Sequence, residues 1–239
     1  MSKQVDRRNF IKYSALAGVS AFATLATACN DGEAEETGSE VQDDFPVDEK
    51  MGILMDNSLC VECQACRVAC QNENELPVEQ ALISFKSKEV GSYPDVKYHF
   101  SRHSCMHCED AVCKDGCPVD ALSKTEQGFT TLDFESCIGC GMCEQSCPYG
   151  VPSIFEEKMY KCDACQHLVT VGESPACVST CAANAIKYGT YDDLVKAAQQ
   201  RVETLQERYP EASLYGLEEQ DGLSLLLILK TEASKLELI

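Results

Sequence analysis

Cys137-Ile138-Gly139-Cys140-Gly141-Met142-Cys143-Glu144-Gln145-Ser146-Cys147-Pro148 places four cysteines with two, two and three residues between them. Three thiols this close can wrap three corners of a small inorganic cube, while the fourth is expected to start a helix leading away to a second site. The same spacing stands at Cys60, Cys63, Cys66 and Cys70. Two more quartets lengthen one gap: Cys105, Cys108, Cys113 and Cys117 have four residues in the second interval, and Cys162, Cys165, Cys177 and Cys181 have eleven.

The repeated run is the signature of ferredoxin 4Fe-4S loops. Structural zinc is the main rival, since Cys-x2-Cys pairs also build four-cysteine zinc sites. Zinc would want its pairs separated by a longer loop, a condition met only by the fourth quartet. Disulfides fit poorly, because cysteines at every third position are bad partners for one another. Covalent haem is excluded: no Cys-x2-Cys pair is followed by His.

Composition agrees. Seventeen cysteines in 239 residues, no Trp, eight Phe and nine Tyr leave a modest aromatic core, so metal binding must supply part of the folding free energy. Asp plus Glu number 39 against 20 Lys plus Arg, a formal charge of −19. Phosphate backbones would repel such a chain, which argues against a nucleic-acid partner.

The N-terminus reads as an address. Lys3, Arg7, Arg8 and Lys12 precede an uncharged stretch from Tyr13 to Ala28, shorter than the roughly 20 residues that cross a bilayer comfortably. Asp6-Arg7-Arg8-Asn9-Phe10-Ile11-Lys12 resembles the twin-arginine export signal, which carries folded, cofactor-loaded cargo. Leu25-Ala26-Thr27-Ala28-Cys29 resembles a lipoprotein box with Ala where Leu is usual, making Cys29 a lipidation site. Cleavage after Ala28 without lipid is the competing reading. Asn30 to Glu49 holds nine acids and no base, too polar to fold alone.

Internal repetition supports two related modules. Asp56 and Asp133 each stand four residues before a first cysteine, after the apolar runs Gly52 to Met55 and Gly128 to Leu132, which read as strands. Val119-Asp120-Ala121-Leu122, Tyr149-Gly150-Val151-Pro152 and Ala183-Asn184-Ala185-Ile186 follow three of the last cysteines as helix exits and return strands. Asp192 to Arg208 reads as a helix with Leu194, Ala197, Ala198, Val202 and Leu205 on one face.

Together the quartets, from about Gly52 to Gly189, resemble the iron-sulfur subunits of molybdopterin oxidoreductases, a family that includes those of formate dehydrogenase, dimethyl sulfoxide reductase, and polysulfide or tetrathionate reductases. Cys-Met-His-Cys-Glu-Asp at 105–110, Cys-Ile-Gly-Cys-Gly at 137–141 and Val-Gly-Glu-Ser-Pro-Ala-Cys at 171–177 look most like formate dehydrogenase. So do Tyr209-Pro210-Glu211-Ala212 and Leu214-Tyr215-Gly216 in the tail.

The resemblance implies an α+β fold in which two ferredoxin-like modules, of the bacterial kind holding two 4Fe-4S clusters each, interleave in one compact unit. Short strands and helices surround four clusters, and a C-terminal helix follows. It implies that Cys60, Cys63, Cys66 and Cys181 hold one cluster, and Cys162, Cys165, Cys177 and Cys70 a second. Cys105, Cys108, Cys113 and Cys147 would hold a third, with Cys137, Cys140, Cys143 and Cys117 holding the fourth.

It further implies an electron-transfer subunit, not itself an enzyme, linking a molybdopterin catalytic subunit to a membrane quinone-reactive or cytochrome subunit. The expected organisation is a signal peptide at 1–28, an acidic disordered tether at 29–50, the four-cluster domain at 51–190, and a helix and tail for partner docking at 191–239. Export by the twin-arginine route places the chain in the periplasm or on the outer face of the cytoplasmic membrane, with a lipid on Cys29 touching the membrane surface. The catalytic partner implied is a formate dehydrogenase; the alternatives are the iron-sulfur subunit of a dimethyl sulfoxide, polysulfide or tetrathionate-type reductase, a free exported polyferredoxin, and a redox-sensing scaffold.

Three departures from the family stand out. Cys181-Ala182 and Cys70-Gln71 lack the usual Pro; Leu223 to Leu229 is too short to be an anchoring helix; and the chain carries its own export signal. That apolar run is either a buried strand or a partner patch. His107 either tunes a cluster or packs against its loop; Arg67, Lys114 and Lys161 either offset cluster charge or are solvated. His99, His103 and His167 receive no role.

Overall fold

Met51–Asp56 forms strand β1, and every one of its residues is buried. The computed structural model describes residues 49–236 and Leu238; the expected export signal, Cys29 and nearly all of the expected acidic tether lie outside them. β1 pairs in parallel with β10 (Leu225–Leu229) and antiparallel with β8 (Ile186–Thr190), and β9 (Ser213–Tyr215) completes a four-stranded sheet in the order β8-β1-β10-β9.

β10 reads Leu-Leu-Leu-Ile-Leu and is buried throughout. Its lack of alternation has a physical cause: both faces of the sheet are covered. Leu226 and Ile228, with Leu54 of β1, face helix α6 (Tyr191–Gln206), where they meet Leu194, Ala198 and Leu205. Leu225, Leu227 and Leu229, with Ile53 and Met55, face the cysteine loops, packing with Cys66, Cys70, Cys162 and Cys177. Each fully buried Leu contributes about 1.5–3 kcal/mol. Leu225–Leu229 is therefore interior strand, with Leu223 buried just before it, and the tail supplies half of the central sheet.

Helix α6 starts where Asp192 and Asp193 face the positive end of its dipole, with the Thr190 hydroxyl donating to Asp193 at 3.0 Å. Its inner face is the one read from the sequence, except that Ala197 is exposed and Val195 takes part in the packing. It lies so close over β1 that a Cβ on Gly52 would come 3.2 Å from Leu194 Cδ1.

The remaining strands form three hairpins: β2–β3 (Ser84–Val90, Lys97–His103), β4–β5 (Leu122–Lys124, Thr130–Leu132) and β6–β7 (Ser153–Phe155, Lys158–Tyr160). Short helices alternate with them: α1 (Ala65–Glu73), α2 (Val112–Asp115), α3 (Met142–Ser146), α4 (Gln166–Val169) and α5 (Ala176–Ser179). The content is thus mixed helix and strand. Every quartet is approached from a strand: β1 leads to Cys60, β3 to Cys105, β5 to Cys137 and β7 to Cys162. Among the described residues no helix is long and apolar enough to cross a membrane.

Candidate metal centres

The four cysteine loops share one backbone device. The residue before the second cysteine adopts a left-handed conformation in each: Glu62 (φ 55°), His107 (φ 51°), Gly139 (φ 65°) and Ala164 (φ 62°). Such a turn curls the chain so that N–H groups point inward and can serve negative sulfur. Accordingly the N–H of Glu62 lies 3.4 Å from Cys60 Sγ, and that of Ala164 3.4 Å from Cys162 Sγ. Only at Gly139 is glycine demanded by space as well, since a Cβ there would run into the Glu157 carbonyl.

Helices begin one residue before the third cysteine, not at the fourth as the spacing suggests. Cys66, Cys113, Cys143 and Cys177 are each the second residue of a helix, and the fourth cysteine comes one turn later, within α1 or just past the ends of α2, α3 and α5. That single turn carries the chain from one thiol site to its neighbour. Beyond it, Asp120, Gly150 and Asn184 take left-handed φ values of 50°, 60° and 48°, and their N–H groups donate to the carbonyls of Cys117, Cys147 and Cys181. Asp, Gly and Asn are the residues that tolerate this conformation. The first quartet departs because α1 runs on to Glu73.

Both repeated aspartates build the approach. Asp56 accepts from the backbone N–H of Ser58 at 2.7 Å, and Asp133 from those of Glu135 and Ser136 at 3.0 and 3.3 Å. Asp56 also receives Arg201 Nε from α6 at 2.9 Å, which ties the first cysteine loop to the helix on the far face of the sheet.

Convergence crosses between quartets. Cys117 lines one recess with Cys137, Cys140 and Cys143, walled by Val119, Ile138, Met142, Ile154 and Met159. Cys147 lines another with Cys105, Cys108 and Cys113, walled by Met106, Ala111, Pro148 and Pro152. The first and fourth quartets meet where α1 packs on α5: Asn74 Nδ2 stands 3.6 Å from Cys70 Sγ and 3.9 Å from Cys165 Sγ. Burial pushes the Cys70 thiol up to about 12, helped by the nearby Cys165 and Cys177 sulfurs. Cys60, raised first by burial, feels Cys181 and Cys63.

All sixteen quartet cysteines are free, and only Cys63 and Cys140 are exposed. Burial, reinforced by neighbouring cysteines, raises Cys108 to about 12 and Cys113 and Cys165 to about 11. Binding metal to thiols of this kind expels protons. Among the described residues no three His, Cys, Asp or Glu groups close around a single-ion position, as four thiolates about 2.3 Å from one zinc would. Free thiols gathered in fours in two recesses with largely apolar walls form a donor set suited to a cubane cluster.

Buried cations stand among these sulfurs. Arg102 is 2% exposed; its Nη1 lies 3.7 Å from Cys177 Sγ and its Nε donates to Ser104 Oγ at 2.8 Å. No carboxylate pairs with it among the described residues. Burial opposes its charge, but the sulfurs of Cys177, Cys162 and Cys66 more than offset this and hold the guanidinium protonated. Lys161, also buried, lines the Cys105 recess and donates to the carbonyls of Thr130 and Cys162. Lys158 and Lys124 cap the carbonyls of Cys137 and Cys108, each at 2.7 Å.

Of the three cations singled out in the sequence, Lys161 is thus interior, whereas Arg67 and Lys114 make only exposed contacts, with Gln64 and Asp115. Arg102 is missed by sequence reasoning because a lone Arg before a cysteine reads as surface. The available signal is strand alternation, which puts it on the same face as Phe100.

His107 is fully enclosed. Its Nδ1 accepts the Thr130 N–H at 3.1 Å, which leaves the proton on Nε2, and its ring meets Phe129 edge-on at 5.1 Å. Burial, with Lys161 and Lys124 nearby, keeps it neutral. His103 and His167 have structural partners in the Tyr149 carbonyl and Glu73.

Residues 96–191 match the family described as 4Fe-4S dicluster domain, and residues 57–73 match a 4Fe-4S binding domain. The chain is 35% identical over 196 residues to the iron-sulfur subunit of nitrate-inducible formate dehydrogenase from Escherichia coli, covering 74% of this chain and 67% of that one. It belongs to the family of iron-sulfur subunits of formate dehydrogenase and dimethyl sulfoxide reductase.

A subunit of the anaerobic dimethyl sulfoxide reductase from the same organism is 36% identical over 155 residues, 61% of this chain and 76% of that one. Protein NrfC, also from Escherichia coli, is 37% identical over 149 residues, 60% and 67% of the two chains. As an iron-sulfur electron-transfer subunit of this family, the chain accounts for its cysteine content by 4Fe-4S binding. Both family matches fall on quartets: 57–73 spans Cys60 to Cys70, and 96–191 spans the other three.

Proposed function

We propose that the chain holds four 4Fe-4S clusters and relays electrons between a molybdopterin catalytic subunit of the formate dehydrogenase kind and a membrane quinone or cytochrome partner. The ligand sets are Cys60, Cys63, Cys66 and Cys181; Cys162, Cys165, Cys177 and Cys70; Cys105, Cys108, Cys113 and Cys147; and Cys137, Cys140, Cys143 and Cys117. Two ferredoxin-like modules interleave to make them. A 4Fe-4S cluster supplies reversible one-electron storage when bound.

The observation that carries this reading is the crossed convergence of Cys117 with the third quartet and Cys147 with the second. The chain's own residues do the rest. Apolar walls keep water from the interior sulfurs, and Arg102 and Lys161 supply positive charge beside them. Cys63 and Cys140 bring two of the sets to the surface, where electrons can enter and leave. Catalysis belongs to the partner, as for a family of electron-transfer subunits. Export by the twin-arginine route and a lipid on Cys29 complete the proposal, and they would place the work on the outer face of the cytoplasmic membrane.

Anaerobic purification of the protein from its own membranes tests this. The expected result is about sixteen irons per chain, a co-purifying large subunit with pterin-bound molybdenum or tungsten, and bleaching of the visible absorption by formate. A pterin partner indifferent to formate would move the assignment to a reductase of the dimethyl sulfoxide or polysulfide type. A lone chain with full iron would make it a free polyferredoxin, and zinc in place of iron would overturn the cluster reading.

A further inference from the structure

Lys97 and His99 at the start of β3, Arg208 beyond the end of α6, and Lys230 just after β10 line one open cleft of about 540 Å³, together with Tyr98 and Glu211. On a chain of charge −19 this gathering of cations is unusual. Lys97, Arg208 and Lys230 form no ion pair among the described residues. Glu211 is already engaged, with Lys235 at 2.5 Å and Thr231 at 3.2 Å. The cations rest on aromatic rings instead, Lys230 over Phe100 at 5.5 Å and Arg208 over Tyr209 at 5.3 Å. Their mutual proximity is felt by His99, which burial and then the charges of Lys230 and Lys97 keep neutral.

Three cations gathered around a single lining carboxylate, Glu211, leave a surplus of positive charge that an anionic partner relieves. The cleft also adjoins a cysteine loop. Tyr98 donates its hydroxyl to the Glu62 carboxylate at 3.0 Å, and Glu62 lies between Cys60 and the exposed Cys63. The recess holding Cys140 is lined by no charged residue, and Glu135 and Glu144 are exposed beside it, with Lys158 bonded to the Cys137 carbonyl.

We propose that this cleft docks an acidic surface segment of a protein that exchanges electrons with the chain at the first quartet. The inference rests on the reading of that quartet as a cluster site. It assigns the place of docking: an acidic partner is drawn to the cleft beside the Cys60–Cys63 loop, whose lining carries cations, and not to the Cys140 recess, whose lining carries none.

The test uses the complex purified from native membranes. A carbodiimide joins lysine amines to carboxylates that touch them, and mass spectrometry maps the links. Links from Lys97 or Lys230 to Asp or Glu of another protein are expected. In parallel, Lys97→Glu with Lys230→Glu, and the milder Lys97→Gln with Lys230→Gln, should weaken that association at least tenfold and flatten its salt dependence, with iron content unchanged. Links confined to the acidic residues 31–49 or to a second copy of the chain would overturn the proposal. So would a chain that purifies alone, or charge variants that associate as the native protein does. A native protein without 4Fe-4S signals in its reduced spectrum would instead defeat the cluster reading itself.

Discussion

The guanidinium of Arg102 lies 3.7 Å from the Cys177 sulfur, buried and without a carboxylate partner among the described residues. A buried charge left unpaired costs several kcal/mol. The sulfurs of Cys177, Cys162 and Cys66 are the anionic groups that act on it most strongly, so its charge is matched when they are thiolates on metal. Two unit charges separated by about 6 Å at an effective dielectric of about 20 interact by roughly 3 kcal/mol, on the order of 100 mV for one electron, which sets the scale for a cluster held on these sulfurs.

Arg102→Met is therefore expected to lower the midpoint potential of the cluster proposed on Cys70, Cys162, Cys165 and Cys177 by about that amount, while Arg102→Lys recovers part of the loss. Potentiometric titration followed by electron paramagnetic resonance measures it. Unchanged potentials in the Met variant would show that the charge is screened from the clusters.

Cys147→Ala should remove the cluster of Cys105, Cys108 and Cys113 and spare the one held by the three cysteines nearest to it in sequence. The iron count falls by about four of about sixteen, and one signal disappears. Cys117→Ala makes the reciprocal change, silencing the set on Cys137, Cys140 and Cys143. Loss of the sequence-local cluster in either variant would contradict the crossing.

At Gly139, alanine meets both a positive φ of 65° and a clash of its Cβ with the Glu157 carbonyl. Strain of about 1–3 kcal/mol follows, concentrated on the Cys137 loop. The expected outcome is faster loss of iron from that set under mild chelation, with the Cys60 and Cys162 sets unaffected.

Asp56 is buried and holds Ser58 and Arg201. Asp56→Ala strands the guanidinium and frees the loop before Cys60, a loss of about 1–3 kcal/mol. Thermal unfolding of the metal-loaded protein should register it as a lowered midpoint, and Arg201→Met should reproduce only part of it because Arg201 is partly exposed.

His99 titrates below the ordinary imidazole value of about 6.5, first through burial and then through Lys230 and Lys97. An imidazole depressed on folding favours the native state fully above that value, and its contribution is lost as pH falls below it. Replacing Lys230 by Gln removes one cause, so the His99 midpoint followed by nuclear magnetic resonance should rise toward the ordinary value.

Much of the site is legible in the sequence because spacing is geometry. Cysteines two residues apart with a left-handed residue before the second make one kind of loop, whether that residue is Gly139 or Glu62. The flanking strands are legible for the same reason: Gly52–Met55 and Ile186 are apolar between turn residues. What escapes depends on distant parts of the chain. Leu225–Leu229 cannot be told from a docking patch until β1 and α6 are seen to cover both its faces. Arg102 carries its meaning only when Cys177, far along the chain, is brought to it. The start of each helix is misplaced by spacing alone because the turn between third and fourth cysteines is itself helical.

The parallel pairing of β1 with β10 also sets an order of events during synthesis. All sixteen quartet cysteines, the last at Cys181, have been translated well before Leu225–Leu229 emerges, yet Ile53 and Met55 are not covered on their β10 edge until it does. The thiol loops are thus present on a nascent chain whose central sheet is still open. Once β10 slots beside β1, Ile53 and Met55 are covered on that edge, so the cysteine loops are made before the strand that completes the sheet beneath them.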